Sequence, residues 1–322
     1  EFCRFYGITP EGNWEKGKNI LHSADKDFPH EMQERIRDAR KKLLAQRNNR
    51  TRPMTDDKVL TAWNALMLNA LLDAYRATQN MEYLEAALKN ASFLRENMIM
   101  DDGRVLRSYK NGKAAVNGFL DDYAFLASAF MELYQLTFDE SWITLSEQLL
   151  RYSIKHFLAP DQSRFYYTSS LDPGLYFRPS ESLDTVIPSS ASVMASNLYH
   201  LGRFLGNEEY EKLARTLLDA RAEEIFKSPL YHAGWARLML YLAKEPFEIV
   251  AVGKNFHTTL NEIGRLFLPG SIMAGTKKSG TFPLFRYKYI EGKTPVYLCR
   301  GKHCLQPFEK AEEAIAFLRE NH

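Results

Sequence analysis

The chain has 322 residues, 45% of them hydrophobic, which is enough to bury the core of one large domain or of a large domain with a small companion. Its 42 basic and 40 acidic residues leave a net charge of +2 without a long run of one sign. The basic surface typical of a nucleic-acid-binding protein is therefore missing. The most apolar stretch, residues 65–75, contains Asn69 and Asp73 and is shorter than the roughly 20 residues that a membrane-spanning helix needs. We accordingly expect neither nucleic acid nor membrane as a partner.

The beginning of the chain indicates its compartment and its origin. Glu1-Phe2-Cys3-Arg4-Phe5 contains neither an initiator Met nor the basic-then-apolar pattern of an export signal. Three cysteines do not make a disulfide framework and are typical of a reducing compartment. We predict a cytoplasmic protein and interpret the abrupt start as a cut inside a longer one.

The first fifty residues predict little buried structure. Residues 1–30 are rich in Gly, aromatic and charged residues and are interpreted as a loop or short hairpin. Residues 30–50 are heavily charged, with sparse apolar positions such as Ile36 and Leu43 spaced as one face of a solvated helix.

A repeat follows, with three helix starts of the same kind. Asn80, Asp139 and Asn207 each precede one or two acidic residues and an aromatic residue. We interpret each as a helix start, because an Asn or Asp side chain accepts free backbone N–H groups there and acidic residues suit the positive end of the helix dipole. Each start opens a helix with one apolar face. Each of these helices is preceded by a segment that is apolar on nearly every face, at residues 59–77, 119–137 and about 190–205.

This alternation of inner and outer helices predicts the architecture. It indicates a mainly α protein, a partial (α/α) six-hairpin toroid with about half of six helix pairs and with residues 230–242 as a further inner helix. Short β-hairpin insertions are predicted at residues 101–112 and 161–170, where Asx-Gly turns or polar clusters interrupt alternating residues. After Glu245-Pro246 the pattern changes to strands at 247–253, 271–276 and 294–298 and helices at 257–267 and 308–320. We predict two domains, a half barrel over residues 1–245 and a small α/β domain over residues 246–322.

Polar residues at the starts of the inner helices are the candidate site, because one end of a helical ring converges on its axis. The three starts are Asp56-Asp57-Lys58 with Trp63-Asn64, then Asp121-Asp122-Tyr123, and then Asp184 with Ser189 and Ser192.

The acidic residues at these starts have two interpretations. One of Asp56 and Asp57 could cap the helix while the other faces the cavity, or both could serve the cap and the helix dipole. Asp121 and Asp122 lie in an apolar stretch, so each needs a partner that offsets its desolvation, which favours a function or a buried ion pair.

The remaining candidates are also ambiguous. Trp63 and Tyr123 could stack on a sugar ring, although aromatic residues on an inner helix are more often core. Ser189 and Ser192 are interpreted chiefly as helix caps, and Arg107 and Tyr109 either reach over the mouth of the ring or are solvated strand residues.

Paired carboxylates across a cavity are what glycoside hydrolysis requires. Sugar epimerisation instead uses general bases, usually His, and of the eight histidines only His232 lies near an inner-helix start. Cys299 and Cys304, with His303 beside them, provide too few ligands for a structural zinc site. We interpret them mainly as ordinary loop cysteines, with a disulfide or thiol role as the alternative, and predict no metal and no cofactor.

Several motifs resemble those of a known family, and together they extend over nearly the whole chain. The matching residues are Arg52-Pro53, the run from Asp56 to Asn64, the run from Asp121 to Phe125, Pro188-Ser189 with Ser192, Tyr297-Leu298-Cys299, Cys304 and Pro307. They resemble the thioredoxin-domain-containing proteins related to spermatogenesis-associated protein 20. That resemblance implies a barrel similar to those of N-acylglucosamine 2-epimerases and six-hairpin glycosidases, here its C-terminal half, with the other half and a thioredoxin-like domain as partners in the parent protein. Ala65 and Ala191 depart from the family pattern, and the second departure argues against a catalytic Pro-Ser loop.

Two functional hypotheses follow. The first is a carbohydrate-active or carbohydrate-binding barrel with Asp57 and Asp121 as acid and base. Its supporting residues, which would bind a sugar, are Asp56, Lys58, Trp63, Asn64, Arg107, Tyr109, Asp122, Tyr123, Ser189 and Ser192. The second is a non-catalytic helical scaffold that serves a linked thioredoxin-like domain or another protein.

Overall fold

The computed structural model describes residues 1–23, 29–172, 174, 176–301 and 303–321. The chain forms two compact units, residues 1–57 and residues 58–322. Residues 24–28 of the predicted N-terminal loop and Lys302 between the two cysteines lie outside the described residues.

The first unit contains two helices, α1 (Phe2–Phe5) and α2 (His30–Asn48). An isolated antiparallel bridge joins Trp14 to Lys18, and the segment after α2 has no regular secondary structure as far as Asp57. The predicted solvated helix is confirmed, because α2 is largely exposed and Ile36 is its buried apolar residue.

The second unit is mainly helical and begins with three helix pairs. The pairs are α3 (Thr61–Thr78) with α4 (Met81–Met98), α5 (Leu120–Thr137) with α6 (Ser141–Phe157), and α7 (Ser190–Leu205) with α8 (Glu208–Asp219). The first members α3, α5 and α7 pack side by side, and each partner packs on the outside. The short helix α9 (Ala222–Lys227) leads to α10 (Ala233–Ala243), which continues the inner row beside α7. The predicted partial α/α toroid is confirmed.

The helix caps explain why the pairs turn where they do. Asn80 and Asn207 accept the N–H groups of Glu82 and Glu209, and Asp139 accepts that of Ser141. The predicted caps Asn80 and Asn207 are confirmed. Before α6 the N-cap is Glu140, and Asp139 accepts the first-turn N–H from one residue earlier.

The inner helices begin beside a small antiparallel sheet. It consists of β1 (Val59–Leu60), β2 (Leu106–Lys110) and β3 (Lys113–Asn117) in that order, with Asn111-Gly112 in positive-φ conformation at the turn. The second predicted hairpin, at residues 161–170, is wrong in detail. Asp161 accepts the N–H and hydroxyl of Ser163 in a local turn, and a single bridge, Leu158 to Phe165, stands where strands were expected.

The C-terminal part is a small α/β layer, as predicted. It contains β4 (Glu248–Val252), α11 (Phe256–Ile263), β5 (Ile272–Thr276), β6 (Val296–Arg300), β7 (His303–Cys304) and α12 (Ala311–Asn321). The sheet order is β5-β4-β6-β7, with β4 and β5 parallel and the other pairs antiparallel. This layer belongs to the same compact unit as the helix pairs, so an independent domain beginning at residue 246 stays a prediction.

Cys299 and Cys304 form a disulfide. The antiparallel pairing of β6 with β7 places the two residues directly opposite each other, which the sequence alone did not reveal. The interpretation as ordinary loop cysteines is therefore wrong, and neither thiol is available to bind a metal.

No helix within the described residues is long and apolar enough to cross a membrane.

Candidate functional site

Polar side chains come together at two places in residues 58–322. One is the N-terminal end of the inner helices, where the sequence placed its candidates. The other is a cavity along the concave face of the same helices.

Asp122 joins two inner helices at their first turns. Its Oδ1 accepts the backbone N–H of Ala62 in α3 at 2.9 Å, and its Oδ2 accepts that of Phe119, the N-cap of α5, at 2.9 Å. Arg107 on β2 donates to the same Oδ2 at 2.9 Å. The side chain is fully buried. Two backbone donors and one guanidinium offset the cost of burying its carboxylate.

Asp121 shares the same arginine. Its Oδ1 accepts from Arg107 at 3.0 Å and from the backbone N–H of Asp122 at 3.0 Å, and its charge, after burial, raises the pKa of Tyr167. The Arg107 guanidinium lies 4.6 Å from the centroid of the Phe119 ring. The buried-ion-pair interpretation of the two acids is thus the one that the contacts support.

The electrostatics of this cluster follow from one guanidinium facing two carboxylates. Burial and the neighbouring Asp121 raise the pKa of Asp122, Arg107 and the two backbone donors lower it, and the net result is a pKa of about 7.

Asp184 repeats the device at the next pair of inner helices. It accepts the N–H of Ser189, the N-cap of α7, at 2.8 Å and that of Gly234 in α10 at 2.7 Å. The Ser189 hydroxyl oxygen accepts the N–H of Ser192 at 3.1 Å, and the Ser192 hydroxyl donates to the Ser189 carbonyl at 3.0 Å. Both serines are buried. Ser189 is the N-cap of α7, as predicted, whereas Ser192 lies within the first turn and does not cap the helix.

Asp56, Asp57 and Lys58 do not stand at the start of the helix. Val59 and Leu60 pair with β2, so the backbone is still extended there and α3 begins at Thr61 with Leu60 as its N-cap. The prediction that one of the two acids occupies the cap is wrong, and all three residues are exposed. Asp57 ends the first unit and Asp121 lies in the second, so their pairing as acid and base stays a prediction.

The predicted aromatic and strand residues have different environments. Tyr123 is fully buried, its hydroxyl oxygen accepts the N–H of Val105 at 2.9 Å, and its ring stacks on Tyr152. It is a core residue and not a sugar platform. Trp63 is 63% exposed, and the Tyr109 ring packs edge-on against Phe93. The Asn64 side chain donates to the carbonyl of Leu60 within the first turn of α3.

The cavity on the concave face was not predicted. It has a volume of about 760 Å³ and is lined by α3, α5, α7, α10 and the segment 264–273 that precedes and enters β5. Its lining includes the polar side chains of Asn69, Asp73, Arg76, Glu132, Ser196, His200 and Arg237.

An ion triad lies on this lining. Arg76 of α3 contacts Asp73 Oδ1 at 3.3 Å through Nη1 and Glu132 Oε2 of α5 at 2.8 Å through Nη2. Burial raises the pKa of Asp73, Arg76 lowers it, and Glu132 raises it. The two carboxylates differ in exposure, since the Asp73 side chain is 75% exposed and that of Glu132 is 38% exposed.

Four residues of the lining carry a buried polar atom without a hydrogen-bond partner among the described residues. These atoms are Asn69 Oδ1, Arg76 Nε, Ser196 Oγ and His200 Nδ1. Burial, together with the charges of Arg203 and Arg237, lowers the pKa of His200 to about 3, so the imidazole is neutral at physiological pH.

A signal for this cavity exists in the sequence. Asn69, Asp73 and Arg76 follow helical spacing on an otherwise apolar segment, as do Ser196 and His200. These residues lie on the faces of the inner helices, whereas the predicted site residues were chosen mainly at the helix starts.

Curated proteins similar to this chain include spermatogenesis-associated protein 20. The human protein is 24% identical over 287 residues, covering 83% of this chain and 36% of that protein. An uncharacterized Caenorhabditis elegans protein is 25% identical over 299 residues, covering 88% of this chain and 41% of that protein. The chain thus spans about two fifths of the length of these relatives, to which it is homologous. No protein-family profile matches it.

Solved structures with a similar arrangement include three enzymes that act on sugars. A GH76 α-mannanase from Bacteroides thetaiotaomicron has a TM-score of 0.48 at 15% identity, covering 77% of this chain and 75% of that one. Cellobiose 2-epimerase from Bacillus thermoamylovorans has a TM-score of 0.42 at 13% identity, covering 52% and 46%. Unsaturated glucuronyl hydrolase from Bacillus sp. GL1 has a TM-score of 0.43 at 16% identity, covering 53% and 48%.

Proposed function

We propose that this chain is a carbohydrate-active protein that holds a hydroxyl-rich ligand in the concave cavity. The observation that carries the proposal is the set of four buried polar atoms without partners on the cavity lining. Buried polar groups in proteins are nearly always hydrogen-bonded, and those that are not call for an explanation such as a ligand.

The chemistry of these groups favours hydroxyls. Asn69 Oδ1 is an acceptor, Arg76 Nε is a donor, and Ser196 Oγ can do both. A sugar hydroxyl donates one hydrogen bond and accepts two, so a polyol satisfies such a mixed set, whereas a purely apolar ligand does not.

The size and the walls of the cavity also suit a sugar. About 760 Å³ lies within the range of small-molecule sites, about 300 to 1,000 Å³. Tyr241 and the exposed Phe267 contribute aromatic side chains to the same lining, against which the apolar faces of a sugar ring can pack.

The ion triad supplies acid–base chemistry. In this proposal Asp73, whose pKa is raised by burial, donates a proton, and Glu132 accepts one. Two carboxylates in different environments are the usual apparatus of glycoside hydrolysis, and proton abstraction next to a carbonyl uses the same division of roles. Arg76 contacts both carboxylates and positions them.

Binding is tested first, by isothermal titration calorimetry with a panel of neutral mono- and disaccharides. Ser196→Ala and Asn69→Ala should each weaken the tightest ligand about tenfold, because each removes one hydrogen bond in a buried site. Ser153→Ala is the matched control, since Ser153 is also buried on a helix but bonds to Leu149 and does not line the cavity. Equal affinities for the three variants, or no binding of any saccharide at millimolar concentration, would refute the site.

Turnover is tested second, with the saccharides that bind. Asp73→Asn and Glu132→Gln should abolish product formation, measured by nuclear magnetic resonance, while leaving affinity within about threefold, because each amide keeps the shape but cannot transfer a proton. Asp219→Asn on the exposed end of α8 is the control. Unchanged turnover in both cavity variants would remove these carboxylates from the mechanism.

A second candidate function is an interaction module, and the exposure of α3 favours it. Trp63 and Met67 are 63% and 56% exposed although they lie one turn apart on an inner helix. In this alternative α3 packs against another protein, such as the thioredoxin-like domain that the family resemblance implies. Light scattering after size exclusion, on the chain and on a Trp63→Ser, Met67→Ser variant, tests for association. A monomer that binds no such domain would count against it.

A further inference from the structure

Arg237 is an arginine of the cavity lining that the cavity's carboxylates do not neutralise. Arg237 on α10 lines the cavity and is exposed, and among the described residues it has no carboxylate partner. It shares the cavity lining with His200 and Tyr241, and its charge lowers the pKa of both.

The acids of the cavity are already occupied. Asp73 and Glu132 both contact Arg76. Neither carboxylate forms an ion pair with Arg237 among the described residues, so the charge of Arg237 is left for a ligand.

Arg265 adds a second uncompensated cation. It lies in the segment that closes the cavity, is exposed, and has no ion-pair partner within the described part of the chain. The lining thus combines three guanidinium groups with two carboxylates, and the excess positive charge is on the side of α10 and of residues 264–273.

We infer that the ligand of this cavity is an acidic sugar, whose carboxylate or phosphate group binds Arg237 with assistance from Arg265. Arginine presents a planar fork of donors that matches both anions, and such charge-assisted hydrogen bonds are about twice as strong as neutral ones. The hydroxyls would meet the unpartnered polar atoms of Asn69, Ser196 and His200. The inference rests on the proposed function, since it identifies the class of sugar.

His200 fits this arrangement because it stays neutral. A protonated imidazole beside Arg237 would repel that arginine, and burial together with Arg203 and Arg237 prevents protonation. The neutral ring then serves as a hydrogen-bonding group for a hydroxyl next to the anionic group.

The test compares glucose, glucuronate and glucose 6-phosphate by calorimetry at low salt, with inorganic phosphate and acetate as anions without a sugar ring. At least one acidic sugar should bind ten times more tightly than glucose or more, and its affinity should fall as salt is raised. Arg237→Gln should abolish this preference and leave the affinity for glucose within about twofold. Arg215→Gln, at an exposed position on the outer helix α8, is the matched control and should change neither.

The outcomes separate this inference from the proposed function. If glucose binds as tightly as the acidic sugars and Arg237→Gln changes nothing, the acidic class is overturned and the carbohydrate site stands. If phosphate or acetate alone binds as tightly as the sugar acids, the hydroxyl contacts fail and both proposals are overturned. Circular dichroism of each variant confirms that loss of binding is not loss of fold, and Arg265→Gln, which lies outside any helix, provides a second reading of the same preference.

Discussion

Asp122 accepts the backbone N–H of Ala62 across two neighbouring helices at 2.9 Å. Asp184 does the same for Gly234, at 2.7 Å, two inner helices further along the row. In both cases the other carboxylate oxygen accepts the N–H of an N-cap residue, Phe119 of α5 for Asp122 and Ser189 of α7 for Asp184. Each aspartate therefore holds two helix starts in register, and the inner row is tied together at its N-terminal end.

Replacing Asp122 with Asn should destabilise the protein by about 2 to 4 kcal/mol, because one accepting oxygen becomes a donor that faces another donor in a fully buried place. Urea unfolding followed by circular dichroism measures the change. Asp139→Asn is the control, since that exposed cap accepts one N–H from Ser141 and Asn can accept it equally well. A loss below about 1 kcal/mol for Asp122→Asn would contradict the tie between the helices.

Gly234→Ala should also destabilise, although Ala is normally the better helix residue. A Cβ at this position would lie 2.4 Å from Ser192 Oγ and 3.3 Å from Asp184 Oδ1. We expect a loss of about 1 to 3 kcal/mol, typical of overpacking, in the same urea assay. The double variant Gly234→Ala, Ser192→Ala removes the nearest atom and should recover part of that loss. Recovery greater than the wild-type stability would show that the close approach is not required.

His200 should make stability fall in acid. Its folded pKa, about 3, lies below its ordinary value of 6.5, so the unfolded chain binds more protons between these values. The contribution of neutral His200 to the free energy of unfolding is complete above pH 6.5. It is lost as pH falls toward 3, by about 1.4 kcal/mol for each pH unit. The test is the difference in unfolding free energy between the wild type and His200→Gln at pH 7, 5.5 and 4.5, a series chosen to span roughly that window.

Subtracting the His200→Gln variant from the wild type cancels the pH dependence that Asp122 contributes, which has the opposite sign. The pKa of Asp122 is raised from 3.8 to about 7, so its own contribution declines as pH rises through this interval. Both proteins contain Asp122, and the exposed His303→Gln serves as a second reference. A difference that does not change with pH would contradict the burial of a neutral His200.

Arg203 and Glu248 form a buried ion pair at 3.1 Å between α7 and β4, and Arg203 also donates to the Pro246 carbonyl at 2.8 Å. Arg203→Met should cost about 3 to 5 kcal/mol because it leaves Glu248 buried with reduced compensation. Arg203→Met combined with Glu248→Met should recover most of this, since an apolar pair carries no desolvation penalty. Thermal and urea unfolding of the three variants gives the coupling energy, and equal losses in the single and double variants would refute this account.

The helical architecture could be predicted from sequence because it depends on short-range regularities. Asn80, Asp139 and Asn207 mark helix starts by their own side-chain chemistry, and the contrast between the one-faced α4 and the wholly apolar α5 indicates which is outside and which is inside. The family resemblance was likewise carried by local motifs, and the homology to spermatogenesis-associated protein 20 agrees with it.

The site was less predictable because the same residue types serve as caps and as chemistry. The roles of Asp121 and Asp122 were ambiguous from the sequence. Arg107, which contacts both carboxylates, lies 14 and 15 residues away from them along the chain. Asp56 and Asp57 were placed at a helix start, but the pairing of Val59 with Tyr109 keeps that stretch extended.

By itself the sequence determined the row of helix pairs, the α/β layer after residue 245 and the caps, since hydrophobic period and capping residues act within a few positions. Only the tertiary structure decided which polar residues meet. Arg76 and Glu132 are distant in sequence and 2.8 Å apart in space, and the unpartnered atoms of Asn69, Ser196 and His200 share one cavity because four helices pack side by side. The disulfide between Cys299 and Cys304 likewise depends on a strand register that no local pattern specifies.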